Sequence, residues 1–342
     1  MNLIIAFVHL GRNPTPTLNW YARICNETFN QSDIVLLTDY SELHRDFTGR
    51  VIIVKETTPK SGIEKFLKFN RPYRSLSGGY WRYTTERLFV LSELANYFDS
   101  HRPVMHMESD VLINTTEENF LSVARRISKT SIVRYLEEAG IASILISPSI
   151  MQLNIDLENL EKILILNPKI FSDMSLLGKG LNQGVLAELP SYPNADWLAE
   201  GRPSTFTIFD GAAVGQYLFG LDPVHTNNRQ ISGYINPNFD IPLDDCFWQI
   251  QRIEDGPRQQ VVMTLDDIKL IPFCIHVHSK ILIDRADLNN PDWKRFIAEA
   301  NKLETRIPGP IRMDDIHSGK ISWRNRIELR VIRFRRKLRV RK

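Results

Sequence analysis

Short apolar runs alternate with helical patterns along the first third of the chain. Residues 3–10, 33–38 and 50–54 are rich in Val, Ile and Leu, which predicts buried strands. Apolar residues at helical spacing predict helices over residues 17–29 and 80–98. Near-continuous apolar strands separated by helices are typical of an α/β protein whose mostly parallel sheet is covered on both faces.

The same patterns continue through the middle of the chain and then weaken. Further strands are predicted at residues 131–135, 141–147 and 205–209, and further helices at residues 156–166 and 212–219. Beyond about residue 170, Gly178, Gly180 and Gly184 are typical of loops. Residues 221–260 are rich in Asn, Pro and Asp, which predicts an irregular region that faces a substrate.

Composition narrows the class of protein. Of the 342 residues, 43% are hydrophobic and 24% are charged, as in soluble globular proteins with a sizeable core. The three cysteines, Cys25, Cys246 and Cys274, are far apart and suit a reducing compartment better than a disulfide framework. The first apolar run lacks the basic flank of a signal peptide, and no run approaches the roughly 18 apolar residues of a membrane span. We therefore expect a cytoplasmic protein with one domain over residues 1–319.

An apolar run at residues 104–113 carries two carboxylates, Glu108 and Asp110. Burying acids in such a run is costly unless a network, a positive side chain or a metal compensates them. Side chains two apart in an extended segment point the same way, so both acids share a face. At the carboxyl end of a parallel strand they would open into a ligand crevice and could hold Mg²⁺ or Mn²⁺. The alternative is that they meet solvent or a neighbouring Arg.

A second chemical run lies far downstream, at residues 273–280. Period two places Cys274, His276 and His278 on one face, and Lys280 extends that face with a cation. One His could complete a metal shell while Lys280 contacts a phosphate. Two alternatives remain open, a zinc site built from Cys and His, and strand histidines bonded to the backbone.

These residues resemble those of a known family. An apolar strand that ends in Glu108-Ser109-Asp110 is similar to the DxD motif of nucleotide-sugar glycosyltransferases with the Rossmann-like GT-A fold. The helical segment at residues 81–89 and a late His followed by Lys are also similar to features of those enzymes. The resemblance covers roughly residues 1–285, and it departs from the pattern because Glu108 replaces the first Asp. It implies a GT-A-like fold and a nucleotide-diphospho-sugar donor.

The resemblance implies roles for individual residues. Asp110 would be a direct ligand of Mn²⁺ or Mg²⁺. His278 would be the third protein ligand, with His276 as the fallback. Glu108 would contact the donor ribose or a metal-bound water. Arg87 would contact the donor, although a helical Arg is also commonly solvated or salt-bridged.

Further roles concern the departing group and a general base. Lys280 and the cation would neutralise charge on the departing nucleoside diphosphate. Asp210, at a predicted strand-to-helix turn, is either a helix N-cap or a carboxylate that binds an acceptor hydroxyl or accepts its proton. Asp245, beside Asp244, is a second candidate base, and the alternative is a pair of solvated loop acids.

The last segment, residues 320–342, is strongly basic. It holds eleven Lys or Arg and one acid, a net charge of +10, whereas the rest of the chain carries −7. Its apolar residues fall within an arc of about 80° on a helix: Trp323, Ile327, Val331, Phe334 and Leu338. A basic amphipathic helix is typical of binding to an anionic membrane surface. Nucleic acid is the less favoured partner, and a merely solubilising tail is the third alternative.

Together these features predict a metal-dependent glycosyltransferase peripheral to the inner membrane face. Its acceptor would be a glycan or a lipid-linked molecule. One alternative is a metal-dependent nucleotidyltransferase or phosphohydrolase with the same type of crevice. Another is a non-catalytic protein that docks on membrane or nucleic acid through the basic segment.

Overall fold

The computed structural model describes most of the first 280 residues and one later segment. The described residues are 2–11, 17–29, 31–40, 46–54, 80–167, 170, 172–193, 205–221, 231–234, 236, 239, 241–252, 259–277 and 305–310. His278, Lys280 and the basic segment lie outside these residues. No helix among the described residues is long and apolar enough to cross a membrane.

A seven-stranded sheet forms the centre of the fold, in the order β3-β2-β1-β4-β7-β6-β8. Its strands are β1 (Ile4–His9), β2 (Asp33–Thr38), β3 (Arg50–Ile53), β4 (Val104–Met107), β6 (Ser131–Leu136), β7 (Ala139–Ser147) and β8 (Ala187–Leu189). The pairs β3/β2, β2/β1, β1/β4 and β6/β8 are parallel, and only β7 runs against its neighbours within this sheet. The predicted α/β class with a mostly parallel sheet is therefore confirmed.

Helices cover both faces of this sheet. They are α1 (Thr17–Thr28), α2 (Tyr80–Val90), α3 (Glu117–Arg126), α4 (Ile150–Leu166), α5 (Asp173–Asn182) and α6 (Ala213–Phe219), with a 3-10 helix (Leu91–Asn96) after α2. Side-chain oxygens of Thr116, Ser149 and Ser172 cap α3, α4 and α5 by accepting backbone N–H groups. The helix predicted at residues 80–98 is thus an α-helix followed by a 3-10 helix.

Alternating residues of the strands face two separate cores. Ile5 and Phe7 of β1 pack in the core that includes residues of α1 and α3. Ile4 and Ala6 pack in the opposite core, with residues of α2, α4 and α5. Burial on both faces explains why the strand sequences are continuously apolar rather than alternating.

Two predictions for the middle of the chain were wrong. Gly178 and Gly180 lie inside α5 rather than in loops. A Cβ on Gly178 would overlap the carbonyl oxygen of Glu138, and one on Gly180 would lie 2.7 Å from Leu160. These glycines therefore permit close packing of the helix. Helix α4 begins at Ile150, earlier than predicted, because Ser149 caps it.

The region predicted to be irregular also contains strands. β11 (Phe247–Arg252), β12 (Gln259–Leu265), β13 (Ile268–Pro272) and β9 (Thr205–Ile208) form a four-stranded sheet. β10 (Ile231–Tyr234) pairs with β15 (Thr305–Pro310), and β5 (Val111–Ile113) pairs with β14 (Cys274–His276). The sequence prediction missed β10 and β11 because Asn, Asp and Pro outweighed their short apolar runs.

Asn114 joins β5 to the four-stranded sheet at a buried position. Its side-chain amide donates to the carbonyl oxygens of Val261 and Pro272, at 2.9 and 2.7 Å. Its Oδ1 accepts the N–H of Val261 at 2.7 Å. The side chain is 2% exposed, so all three bonds are shielded from water.

Replacing Asn114 with Ala is expected to lower the free energy of unfolding by about 3 kcal/mol, because buried peptide groups lose their partners. Denaturant unfolding followed by circular dichroism measures the change. Asn96→Ala is the matched control, since it removes an exposed amide bonded to Glu93 and should cost less than about 0.5 kcal/mol. Equal stability of the two variants would contradict the assigned role of Asn114.

Candidate metal centre

The site begins at the carboxyl end of β4. The N–H of Glu108 donates to Ser143 of the neighbouring β7 at 3.1 Å, which extends the pairing by one residue. The N–H of Val111 then donates to the carbonyl oxygen of Glu108 at 3.3 Å and closes a turn. The chain leaves the central sheet at this turn, and Glu108 and Asp110 both lie on it.

The pairing of β5 with β14 brings the downstream run to the same turn. His276 lies opposite Val111 in the antiparallel register. The N–H of Val277 donates to the carbonyl oxygen of Asp110 at 2.8 Å. Backbone bonds therefore fix residues more than 160 positions apart against each other, as the sequence prediction of a shared site requires.

Glu108, Asp110 and His276 form a triad of side chains. The Nε2 atom of His276 lies 3.4 Å from Oε2 of Glu108 and 3.5 Å from Oδ1 of Asp110. One ligand atom from each residue lies within 4.8 Å of the others. Within the described part of the chain, this is the one such group of three or more His, Cys, Asp or Glu residues. His276, the fallback in the sequence interpretation, is thus the His that meets the acids.

The electrostatics of the triad favour a positive charge between the carboxylates. Burial by itself lowers the pKa of His276. The carboxylates of Asp110, Glu108 and Asp210 outweigh burial, so the pKa of His276 is raised from its ordinary value. A site that attracts a proton onto this imidazole presents the same negative potential to a metal cation.

The three donors fit a divalent cation. Carboxylate oxygens suit Mg²⁺ and Mn²⁺, and an imidazole is a common additional ligand of transition metals. Ligands about 2.1 Å from one ion lie about 3 Å apart at adjacent positions, so the spacings in the triad are within reach. Cys274 is not part of the group. Its thiol is fully buried, and burial raises its pKa above the ordinary value, which disfavours the zinc-binding thiolate.

Arg87 of α2 flanks the triad on the other side. Its guanidinium contacts the carboxylate of Glu108 and also lies 3.0 Å from Oδ2 of Asp173. The Asp173 side chain is only 5% exposed, so this pair is largely shielded from water. The sequence interpretation missed Asp173. The available signal was Ser172-Asp173, a cap followed by an acid, which is typical of a helix start.

The triad opens at the place where the strand order reverses. Strands β2 and β3 lie on one side of β1, and β4 lies on the other. Gly11, just past β1, donates its N–H to Asp39, just past β2, at 2.9 Å. The ring of Tyr83 from α2 lies beside Gly11. In open α/β sheets this edge is where ligands bind.

Tyr21 of α1 is a second residue that the sequence interpretation missed. The side chain is 1% exposed. Burial, followed by the charge of Asp110 and then that of Cys25, raises the pKa of Tyr21 well above its ordinary value. The phenol therefore stays neutral beside the acidic turn. Nothing in the helical pattern distinguished it from an ordinary core residue.

The other predicted residues have different surroundings. Asp210 is fully buried and accepts backbone N–H groups at the start of α6, which favours a capping role over a general base. It lies two residues before the N-cap position, which Ala212 occupies. Asp245 is exposed in the turn before β11. His106, on β4 just before the turn that carries the acids, donates its Nδ1–H to the carbonyl oxygen of Ala6, and burial lowers its pKa to about 3. Its imidazole is therefore neutral.

Comparisons with known proteins give partial structural overlaps. No protein-family model and no curated protein sequence matches the chain. The galactosyltransferase LgtC, solved with donor and acceptor sugar analogues, aligns over 55% of this chain and 73% of its own, at 13% identity and a TM-score of 0.39. Mouse xyloside xylosyltransferase 1 aligns over 55% and 84%, at 10% identity and a TM-score of 0.34. Bifunctional IspDF from Campylobacter jejuni aligns over 57% and 51%, at 10% identity and a TM-score of 0.31.

Structural similarity at this level does not assign a function to this chain. The function proposed below is therefore argued from the residues of the site.

Cation affinity is expected to depend on pH through His276. Its raised pKa means that the imidazole holds a proton above the usual range, and Nε2 must lose that proton to coordinate a metal. Mn²⁺ affinity should rise by up to about tenfold per pH unit below this pKa and level off above it. Titration calorimetry across neutral and mildly alkaline pH measures the slope.

The matched pair of variants for this measurement is His276→Gln and His101→Gln. His276→Gln should bind Mn²⁺ weakly, and its affinity should not rise with pH. The second replaces an exposed histidine outside the triad and should behave as the wild type does. If the Mn²⁺ affinity of His276→Gln still rises with pH, the proton that competes with the cation belongs to a group other than His276.

Proposed function

We propose that this protein is a metal-dependent glycosyltransferase that moves a sugar from a nucleotide-diphospho-sugar to a glycan or lipid-linked acceptor. The observation that carries the proposal is the triad of Glu108, Asp110 and His276 at the edge where strand order reverses. That edge is the usual ligand crevice of an open α/β sheet. Carboxylate-rich sites with open positions suit cations that bridge phosphates.

Each residue of the site has a proposed part in binding the donor. Asp110 and His276 would hold Mn²⁺ or Mg²⁺, and Glu108 would complete the shell or contact the donor ribose. A bound cation would supply Lewis-acid neutralisation of the departing diphosphate. Arg87, held by Asp173, keeps the carboxylate of Glu108 in place and adds positive charge beside the crevice.

Residues beyond the triad complete the proposal. Lys280, four positions after His276 in the sequence, would neutralise further charge on the diphosphate. His278 would serve as an alternative ligand. Asp245 remains a proposed general base for the acceptor hydroxyl, as does Asp210 in the less favoured of its two interpretations.

A cavity on the same edge of the sheet is suited to an acceptor sugar. Its volume is about 470 Å³, within the usual range for small-ligand sites. It lies between the β6–β7 turn and α5, the helix whose first residue holds Arg87. Glu138, Lys179 and Gln183 supply polar groups, and Met174 supplies an apolar surface.

A metal-dependent nucleotidyltransferase or phosphohydrolase is the second candidate. The triad suits it equally, because both reactions need a cation that neutralises phosphate oxygens. The two candidate reactions differ in the bond that they break. Transfer of the sugar to water breaks the bond between the anomeric carbon and oxygen, and releases a nucleoside diphosphate. Attack at phosphorus releases a nucleoside monophosphate and a sugar phosphate.

UDP- and GDP-sugars with Mn²⁺ are expected to stabilise the protein against heat, by about 2.7 kcal/mol at one hundred times the dissociation constant. A thermal-shift screen identifies the donor, and chromatography of the products formed without acceptor should find the nucleoside diphosphate.

Asp110→Asn and His276→Gln should each lower the rate of donor cleavage at least about 100-fold, because transition-state charge loses its neutralising partner.

Asp267→Asn is the matched control for Asp110→Asn. It makes the same change at an exposed turn residue with φ 67°, a conformation that Asn tolerates. It should retain wild-type cleavage. Release of nucleoside monophosphate would favour the second candidate, and no stabilisation by any donor would contradict the proposal.

The basic segment, residues 320–342, is proposed to dock the enzyme on an anionic membrane surface from the cytoplasmic side. A truncated chain that ends at residue 319 should keep donor cleavage and lose binding to vesicles that contain phosphatidylserine. Full-length binding should weaken with added salt, since each cation contributes about 1 kcal/mol through screened electrostatics. Vesicle sedimentation measures this. Stronger binding to single-stranded nucleic acid than to vesicles would contradict the membrane assignment.

A further inference from the structure

The carboxylate of Asp210 connects two elements at a fully buried position. Its Oδ1 accepts the N–H of Val214, and its Oδ2 accepts those of Gly215 and His276, each at 2.9 Å. Val214 and Gly215 lie in the first turn of α6, whereas His276 is the last residue of β14. One side chain therefore ties a helix to the strand that carries the imidazole of the triad.

Helix α6 and β14 are also in direct backbone contact at this point. A Cβ on Gly215 would overlap the carbonyl oxygen of His276, so only glycine fits. Ala212, at the start of the helix, has φ 75°, a left-handed conformation that alanine adopts only where the surroundings fix it. The conformation of the turn from Asp210 to Gly215 is thus fixed by its surroundings. Its two ends both contact the backbone of His276, Asp210 at the N–H and Gly215 at the carbonyl oxygen.

We propose that Asp210 is a positioning residue for the metal centre, because it fixes the backbone of His276 and thereby the place of its imidazole relative to Glu108 and Asp110. This inference deepens the proposed function and rests on its metal site. Binding sites tolerate displacements of only about 0.5 Å in their ligands. A strand that lost this anchor would shift to find another acceptor for its buried N–H.

Helix capping alone does not account for the contacts of Asp210. A cap satisfies the free N–H groups of its own helix, which explains the bonds to Val214 and Gly215. The bond to His276 joins positions 66 residues apart and leaves the helix altogether. Its partner is a residue whose side chain faces both acids of the site.

The test measures Mn²⁺ affinity by calorimetry and, separately, thermal unfolding without cation. Asp210→Ala should lower Mn²⁺ affinity at least about tenfold, as loss of groups that orient metal ligands commonly does. Asp210→Asn should give a smaller loss, because an amide has one acceptor oxygen. In either orientation its NH₂ group faces a backbone N–H of Val214 or of Gly215 and His276, and this repulsion displaces the turn that holds His276.

Ser149→Ala is the matched control. It removes the cap of α4, whose oxygen accepts the N–H of Gln152, and it should lower the unfolding temperature while leaving Mn²⁺ affinity within about twofold. A folded Asp210→Ala protein with wild-type affinity would overturn the positioning role. If that variant does not fold, wild-type affinity in Asp210→Asn would overturn it.

Failure of the proposed function gives a different result. A wild-type protein that binds Mn²⁺ through the triad, but neither binds nor cleaves nucleotide-sugars, would overturn the function while the role of Asp210 stood. A wild-type protein that binds no Mn²⁺ would overturn both.

Discussion

The antiparallel pairing of β5 with β14 is the contact on which the site depends. Glu108 and Asp110 sit in an apolar run whose strand is buried on both faces, so their charges need a partner nearby. The pairing places His276 opposite Val111 and within 3.5 Å of both acids. Without it, two carboxylates would face each other at the end of β4, and each would raise the cost of ionising the other.

The two halves of the site follow the same principle. In each, a buried acid outside the turn fixes a basic residue against an acid of the turn. Asp173 pairs with the guanidinium of Arg87, which contacts Glu108. Asp210 accepts the backbone N–H of His276, whose imidazole lies near Asp110. In both series of contacts, acidic and basic residues alternate and hold each other in place before a ligand binds. This lowers the reorganisation cost of binding.

The central sheet supplies the rigidity that this arrangement needs. Its strands have apolar side chains buried on both faces, in cores formed with helices on either side. Polar chemistry is concentrated at one edge of the sheet, where Gly11, Asp39 and Glu108 follow their strands. A ligand at that edge gains access to loop residues, while the strands that position them are among the least mobile parts of the fold.

The sequence by itself determined most strands of the central sheet, because apolar runs are a local property, but it missed β8. It also placed the two acids at the end of β4, but the period-two argument for their shared face was wrong, because they lie on a turn between β4 and β5. It also identified His276 as a ligand type, but ranked it behind His278. Only the tertiary structure decided the partners. Asp173 reaches Arg87 across 86 positions, and Asp210 reaches His276 across 66. The glycines of α5 were misread as loop residues because the contacts that require them come from the β6–β7 turn and from α4. Such contacts depend on which elements lie side by side, and no local pattern encodes that.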